Sequence, residues 1–172
     1  APFREFVDLV AGAGAREIHL LEPCPSGRLA GREDVVLDAV SRQRLLDYQR
    51  EFAQREELPV LSSFAYLEAA DRFGCGAGLT HLYVDGSGEV CPCNLVPLSF
   101  GNVERERLDA ILQRMGAHFR RPRTGCVGQL LNRHVPDGPL PTSPEVSRRL
   151  CEEHLPVEHP VPRFFRLREQ LT

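Results

Sequence analysis

The amino-acid sequence predicts an α/β protein in two parts: a piece of a parallel α/β sheet, then a small α+β domain built on a β-hairpin. Two observations predict it. Residues 1–72 repeat a helix–strand–loop–helix–strand rhythm, which suits strands laid parallel with crossing helices between them. At Phe73 the composition changes. The stretch "FGCGAGLTHLYVDGSGEVCPCNLVPLSFGNV" packs glycines and three of the chain's six cysteines into one hairpin-sized segment. We therefore divide the chain at 1–72 and 73–172. The length of 172 residues suffices for one core, or for one core and a small appendage.

The elements follow in order. Residues 2–11 read as a helix. Pro2 suits a first turn, Phe3, Phe6, Val7 and Val10 share a face, and Gly12 or Gly14 stops it. "REIHLL" is a short strand over Arg16–Leu21, and "EPCPSGRLAG" is a Pro/Gly-rich loop. Ser41 caps a second helix running to about Glu56, with Leu45, Tyr48 and Phe52 inward. "LPVLSS" (Leu58–Ser63) is a second buried strand. Two strands are too few to close a barrel. Beyond Phe73, "LTHLYVD" and "EVCPC" flank "GSG" as a hairpin. Asn102 caps a helix with Leu108, Ile111, Leu112 and Met115 along one stripe, ended by Gly116. "SPEVSRRLCEEH" is a short helix with Ser143 as cap and Pro144 in its first turn. The tail from Leu155 is proline-punctuated and expected to lie over the surface.

Composition narrows the function. The chain is 42% hydrophobic and 26% charged with a net charge of -3, so bulk electrostatics give no case for nucleic acid or a membrane surface. No apolar run is long enough for a bilayer span, and no charged-then-apolar leader opens the chain. The start, "APFREF", lacks a methionine and reads as that of a processed or excised piece. Six cysteines without a secretion signal fit a reducing, cytoplasmic compartment, where clustered thiols serve metals or redox chemistry more often than disulfides.

A glycine turn can bring a ligand in a return strand beside one that precedes the first strand. Cys75 precedes the first strand, and Cys91 and Cys93 stand in the return strand on one face, because side chains alternate with period two. Pro92 between them carries no N–H and marks an edge. Amides of "GCGAG" can donate to sulfurs, which tunes iron–sulfur potentials. Cys24, in its Pro-rich loop, reads as a small hydrophobe, and none of the six scattered histidines is a first-choice ligand.

The run C-x12-G-x4-C from Cys75 through Gly88 to Cys93, ending in "GEVCPC" and followed by "LSFGNV" and a helix, resembles the SPASM/twitch domain of radical S-adenosylmethionine enzymes. Gly86 to Cys91 also satisfies G-x4-C. Cys93 is preferred because Pro92 then takes the family's proline place. The resemblance covers roughly Phe73 to Cys126 and implies an auxiliary [4Fe–4S] cluster that binds substrate or takes up an electron. It implies Cys75, Cys93 and Cys126 as ligands and leaves Cys91 and Cys151 open between fourth ligand and core thiol. "GAREIHLLEPCPSGRL" is similar to the sixth strand of the family's partial TIM barrel. On that likeness, Leu20, Leu21 and Glu22 lie near bound S-adenosylmethionine. The C-x3-C-x2-C motif for the radical-generating cluster and the earlier strands are not in the sequence. The chain therefore reads as the end of a radical SAM barrel plus its auxiliary-cluster domain, inactive alone. Its partners would be a missing N-terminal barrel segment and an unidentified substrate, peptide or small molecule. Two other classes compete: a structural zinc module stapled by four thiolates or three and an imidazole, and a metal-free interaction domain.

Overall fold

A computed structural model of the chain describes residues 2–169. It divides into two compact units, Ala1–Pro23 with Leu37–Leu67, and Cys24–Val36 with Glu68–Thr172.

In the first unit, α1 (Pro2–Gly12) leads to β1 (Glu17–Leu20), then α2 (Ala39–Phe52), β2 (Val60–Ser63) and a single turn, α3 (Phe64–Leu67). The two strands pair in parallel, Glu17 opposite Val60 through Leu20 opposite Ser63. Their adjacency is the one expected of the alternating pattern. Val7 of α1, Ile18 of β1, Phe52 of α2 and Leu61 of β2 are buried in one cluster, and the Phe3 ring lies 4.8 Å from Tyr48. Gln49 of α2 holds the end of β2: its Oε1 accepts from the Ser63 N–H at 3.1 Å and the Ser63 hydroxyl at 2.9 Å. The α2 cap is Asp38 rather than Ser41. The Asp38 carboxylate accepts the Ser41 N–H at 2.6 Å, so the carboxylate takes an orphan amide of the first turn and the helix begins three residues earlier.

The second unit opens with two 3-10 turns, Gly27–Leu29 and Glu33–Val35. Its hairpin is β3 (Tyr83–Val84) with β4 (Val90–Cys91), followed by α4 (Leu108–Gly116), α5 (Val127–Leu131), a 3-10 turn (Asn132–His134), α6 (Pro144–His154) and α7 (Arg163–Glu169). The hairpin is antiparallel, with Tyr83 opposite Cys91 and Val84 opposite Val90. Asp85 shapes its turn by accepting from the Ser87 N–H, the Ser87 hydroxyl and the Glu89 N–H. One core collects Val90, Leu98, Phe100, Ile111, Met115 and Leu131, with Leu150 of α6. Ser143 caps α6 and Pro144 opens it, as the sequence implies. The expected surface tail instead carries α7, and Phe73 packs against Phe164 and Phe165 at 5.3 and 5.0 Å; its last three residues lie outside the described ones.

Asn102 does not cap α4, which starts at Leu108. It ties the hairpin to the following chain. Its Nδ2 donates to the Ser87 carbonyl at 2.8 Å and to Glu89 Oε1 at 2.9 Å, while its Oδ1 accepts the Glu104 N–H at 2.9 Å. A buried amide with three partners competes successfully with the helix for the local backbone. Replacing Asn102 with Ala strands these groups and should cost about 1–3 kcal/mol, read as a lower urea midpoint at unchanged slope.

Candidate metal centre

Four segments of the second unit each bring one thiol. Cys75 is fixed by a backbone bridge to Arg123: its N–H donates to the Arg123 carbonyl at 2.7 Å, and the Arg123 N–H returns to the Cys75 carbonyl at 3.0 Å. Cys93 stands at a tight turn after β4, closed by the Val96 N–H on its carbonyl at 3.0 Å. Cys126 occupies the N-cap position of α5. Cys24 lies in the loop between Pro23 and Pro25 and is 8% exposed.

These four sulfurs act on one another. The Cys24 and Cys126 thiols share a hydrogen bond. Cys93 feels Cys24, and Cys75 feels Cys93, while Cys126 feels Cys75. One carboxylate, Glu68, acts on all four. Asn132 Nδ2 lies 3.5 Å from Cys24 Sγ and donates at 2.8 Å to the Leu95 carbonyl. Gly128 makes room for this approach: a Cβ there would sit 3.2 Å from Cys24 Sγ and 3.1 Å from the Leu95 carbonyl oxygen.

The chemistry of the donor set suits a cationic metal group. Backbone N–H groups of Val127 and Ala77 point at Cys75, those of Leu95 and Asn94 at Cys93, and that of Gln129 at Cys126. Burial is the larger effect and holds the thiols of Cys75 and Cys93 above the usual range, because it disfavours a bare thiolate. Cys126 is raised first by its hydrogen bond to Cys24 and then by burial. The Cys24 thiol is lowered, chiefly by that same hydrogen bond and also by Asn132, so the pair gives up its first proton readily and holds the second. A bound cation would remove the desolvation penalty and leave the amide donors as sulfur ligands' partners.

Cys24, which the sequence assigned to packing, thus interacts with both Cys126 and Cys93. Of the two residues left open as fourth ligand, Cys91 also feels Cys93, while Cys151 feels Arg123 and Glu152. Cys91 is in β4, 3% exposed, and Cys151 is in the core on α6, 1% exposed. Burial, first among the causes, pushes each thiol up to about 12. A folded-state value above the ordinary 9.0 means stability is complete below pH 9 and is lost as pH rises through 12, since only the unfolded chain releases these protons early. We expect denaturation midpoints to decline across that window, and the decline to be shallower in a Cys91→Ala, Cys151→Ala double variant. An unchanged slope in that variant would contradict the placement.

Among the described residues, no three His, Cys, Asp or Glu side chains stand close enough together for a single metal ion. A tetrahedral zinc site needs thiolate sulfurs roughly 3.8 Å apart, from Zn–S bonds near 2.3 Å.

At the end of β1, in the first unit, Leu20 is half-buried and Leu21 exposed. Glu22 turns in: its side chain is 6% exposed and its Oε2 takes Arg42 Nε at 3.0 Å. Its Oε1 is buried without a hydrogen-bond partner.

Among the described residues, no helix is long and apolar enough to cross a membrane. Residues 75–132 match the SPASM family, described as an iron–sulfur cluster-binding domain. Two curated relatives are similar over 145 residues at 26% identity, covering 71% of this chain: proteins named AdoMet-dependent heme synthase from Nitratidesulfovibrio vulgaris and Oleidesulfovibrio alaskensis. The chain spans 39% and 37% of their lengths. No solved structure matches. The matched segment holds Cys75, Cys93, Cys126 and Asn132 and leaves out Cys24. The match and the two relatives together support a SPASM-type iron–sulfur-binding domain of the radical SAM kind over residues 75–132.

Proposed function

We propose that this chain binds one [4Fe–4S] cluster through Cys24, Cys75, Cys93 and Cys126, as the auxiliary centre of an S-adenosylmethionine-dependent radical enzyme. The observation that supports it most is the chain of interactions that links four thiols from four separate segments, Cys24 with Cys126 and Cys93, and Cys75 with Cys93 and Cys126. A four-iron cluster takes four thiolates. When bound, such a cluster supplies either a site for substrate or a place for one electron. The chain's own residues do the rest. Amides of residues 77, 94, 95, 127 and 129 hold the sulfurs in orientation, and Asn132 steadies Cys24. The surrounding core, with Val96 and Leu131 fully buried, keeps water away, which sets potential.

In the complete protein, the first unit would be the end of the partial barrel, completed by an upstream segment that carries the radical-generating cluster. Leu20, Leu21 and Glu22 would then face the cofactor, with the unpartnered Glu22 Oε1 free to accept from it. We assign the reaction class named for the relatives, S-adenosylmethionine chemistry, and no substrate beyond it.

Anaerobic purification tests the proposal. A brown protein with iron and acid-labile sulfide in equal amounts is the expected result. A colourless protein carrying zinc, or one with no metal and a melting temperature indifferent to chelator, would contradict it.

A further inference from the structure

Between the turn after α4, the second half of α6 and residues 157–159 lies a cavity of about 710 Å³, lined on its basic side by Arg120, Arg121 and Arg123 with His118 and His159. Glu152 and Glu158 are its acidic lining. All of these belong to the second unit.

Arg123 is the informative residue. It is 8% exposed. Its Nη2 donates to the Pro156 carbonyl at 2.9 Å, and its Nε is buried with no hydrogen-bond partner. The titratable groups that favour its charge are two thiols, Cys151 and Cys75, and no carboxylate. Cys151, beside it in the cavity wall, stays protonated at neutral pH and offers no counter-charge. A guanidinium cannot shed its proton to escape burial. A buried cation with one carbonyl partner and no counter-charge is costly, and guanidinium donors suit the oxygens of a carboxylate or phosphate. Burial also holds His118 and His159 below the ordinary histidine range. At pH 7 their rings are therefore mostly neutral and can donate a hydrogen bond.

We infer that this cavity is a binding site for the oxyanion group of a small molecule, a carboxylate or a phosphate, with Arg123 as its buried anchor and Arg121 at its mouth. Glu152 and Glu158 limit the excess positive charge, so the site is not a general sink for counter-ions. The site adjoins the thiol group through the backbone bridge of Arg123 to Cys75, and anion binding can be measured whether or not iron is bound.

The test is calorimetric titration of the chain with inorganic phosphate and, separately, with succinate, each against sodium chloride at equal ionic strength. Saturable binding of one anion per chain is expected, weakened roughly tenfold or more in Arg123→Gln and in Arg121→Gln, as loss of a charge-assisted bond implies. The tighter of the two anions tells a phosphoryl ligand from a carboxyl ligand. Heats no different from chloride would overturn the inference, and so would binding that survives in both variants. If Arg123→Gln fails to fold, the exposed Arg121→Gln decides alone. Loss of binding here with iron retained would also separate this site from the cluster proposal.

Discussion

Replacing Cys24 with alanine should strip the reconstituted protein of most of its iron and visible absorption, as fully as replacing Cys75, Cys93 or Cys126. Each variant leaves one corner of a four-thiolate site without its bond, and metal affinity in such sites is also folding energy. Cys91→Ala and Cys151→Ala should keep their iron. Both thiols are core groups, so their cost should appear in stability instead. The contrast is sharp because Cys24 lies outside the motif-bearing stretch and outside the segment that matches the SPASM family. Iron retained in Cys24→Ala but lost in Cys91→Ala would return the fourth ligand to the hairpin and overturn the thiol grouping described here.

Gly74→Ala should be the most damaging single exchange next to the site. Gly74 has φ +77, and a Cβ there would fall 2.2 Å from Pro162 Cγ and 2.5 Å from the Arg123 carbonyl oxygen. That carbonyl is the acceptor of the Cys75 N–H. An L side chain at this φ costs about 1–3 kcal/mol, and a clash that backbone must relieve adds about 1–3 kcal/mol. We expect a loss of about 2–6 kcal/mol in denaturant unfolding. Iron uptake should fall with it, because the bridge that sets Cys75 must open. Gly86→Ala, where a Cβ meets nothing within 4 Å, is the control and should change little. Equal stability of the two variants would show that the bridge is not held as tightly as described.

The elements governed by local signals were readable in the sequence. The parallel pair of β1 and β2 follows from two apolar runs with helices around them, and α6 from a Ser-Pro start. Cys75 and Cys93 stand out because a glycine turn joins them. Other features depend on distance or competition. Cys24 gives no local sign of its place among the thiols. Only the packing of the 24–36 loop with the second unit, and the opening left by Gly128, brings its sulfur to Cys126 and Asn132. A cysteine held between two prolines, in a chain with an otherwise incomplete ligand set, was the available hint. Asn102 departs from its sequence expectation for a related reason. It satisfies the rules for a helix cap, and its amide finds better partners in the hairpin, so α4 begins six residues later. Similarly, Asp38 and Ser41 both suit an N-cap, and the carboxylate prevails.

The most direct test of the four-thiol centre is a Mössbauer spectrum of the chain reconstituted anaerobically with isotopically enriched iron. The account predicts that nearly all the bound iron gives the single quadrupole doublet of a diamagnetic [4Fe–4S] cluster, and that this doublet disappears in Cys24→Ala. Iron bound only as isolated high-spin ions, or a four-iron doublet that persists without Cys24, would contradict it.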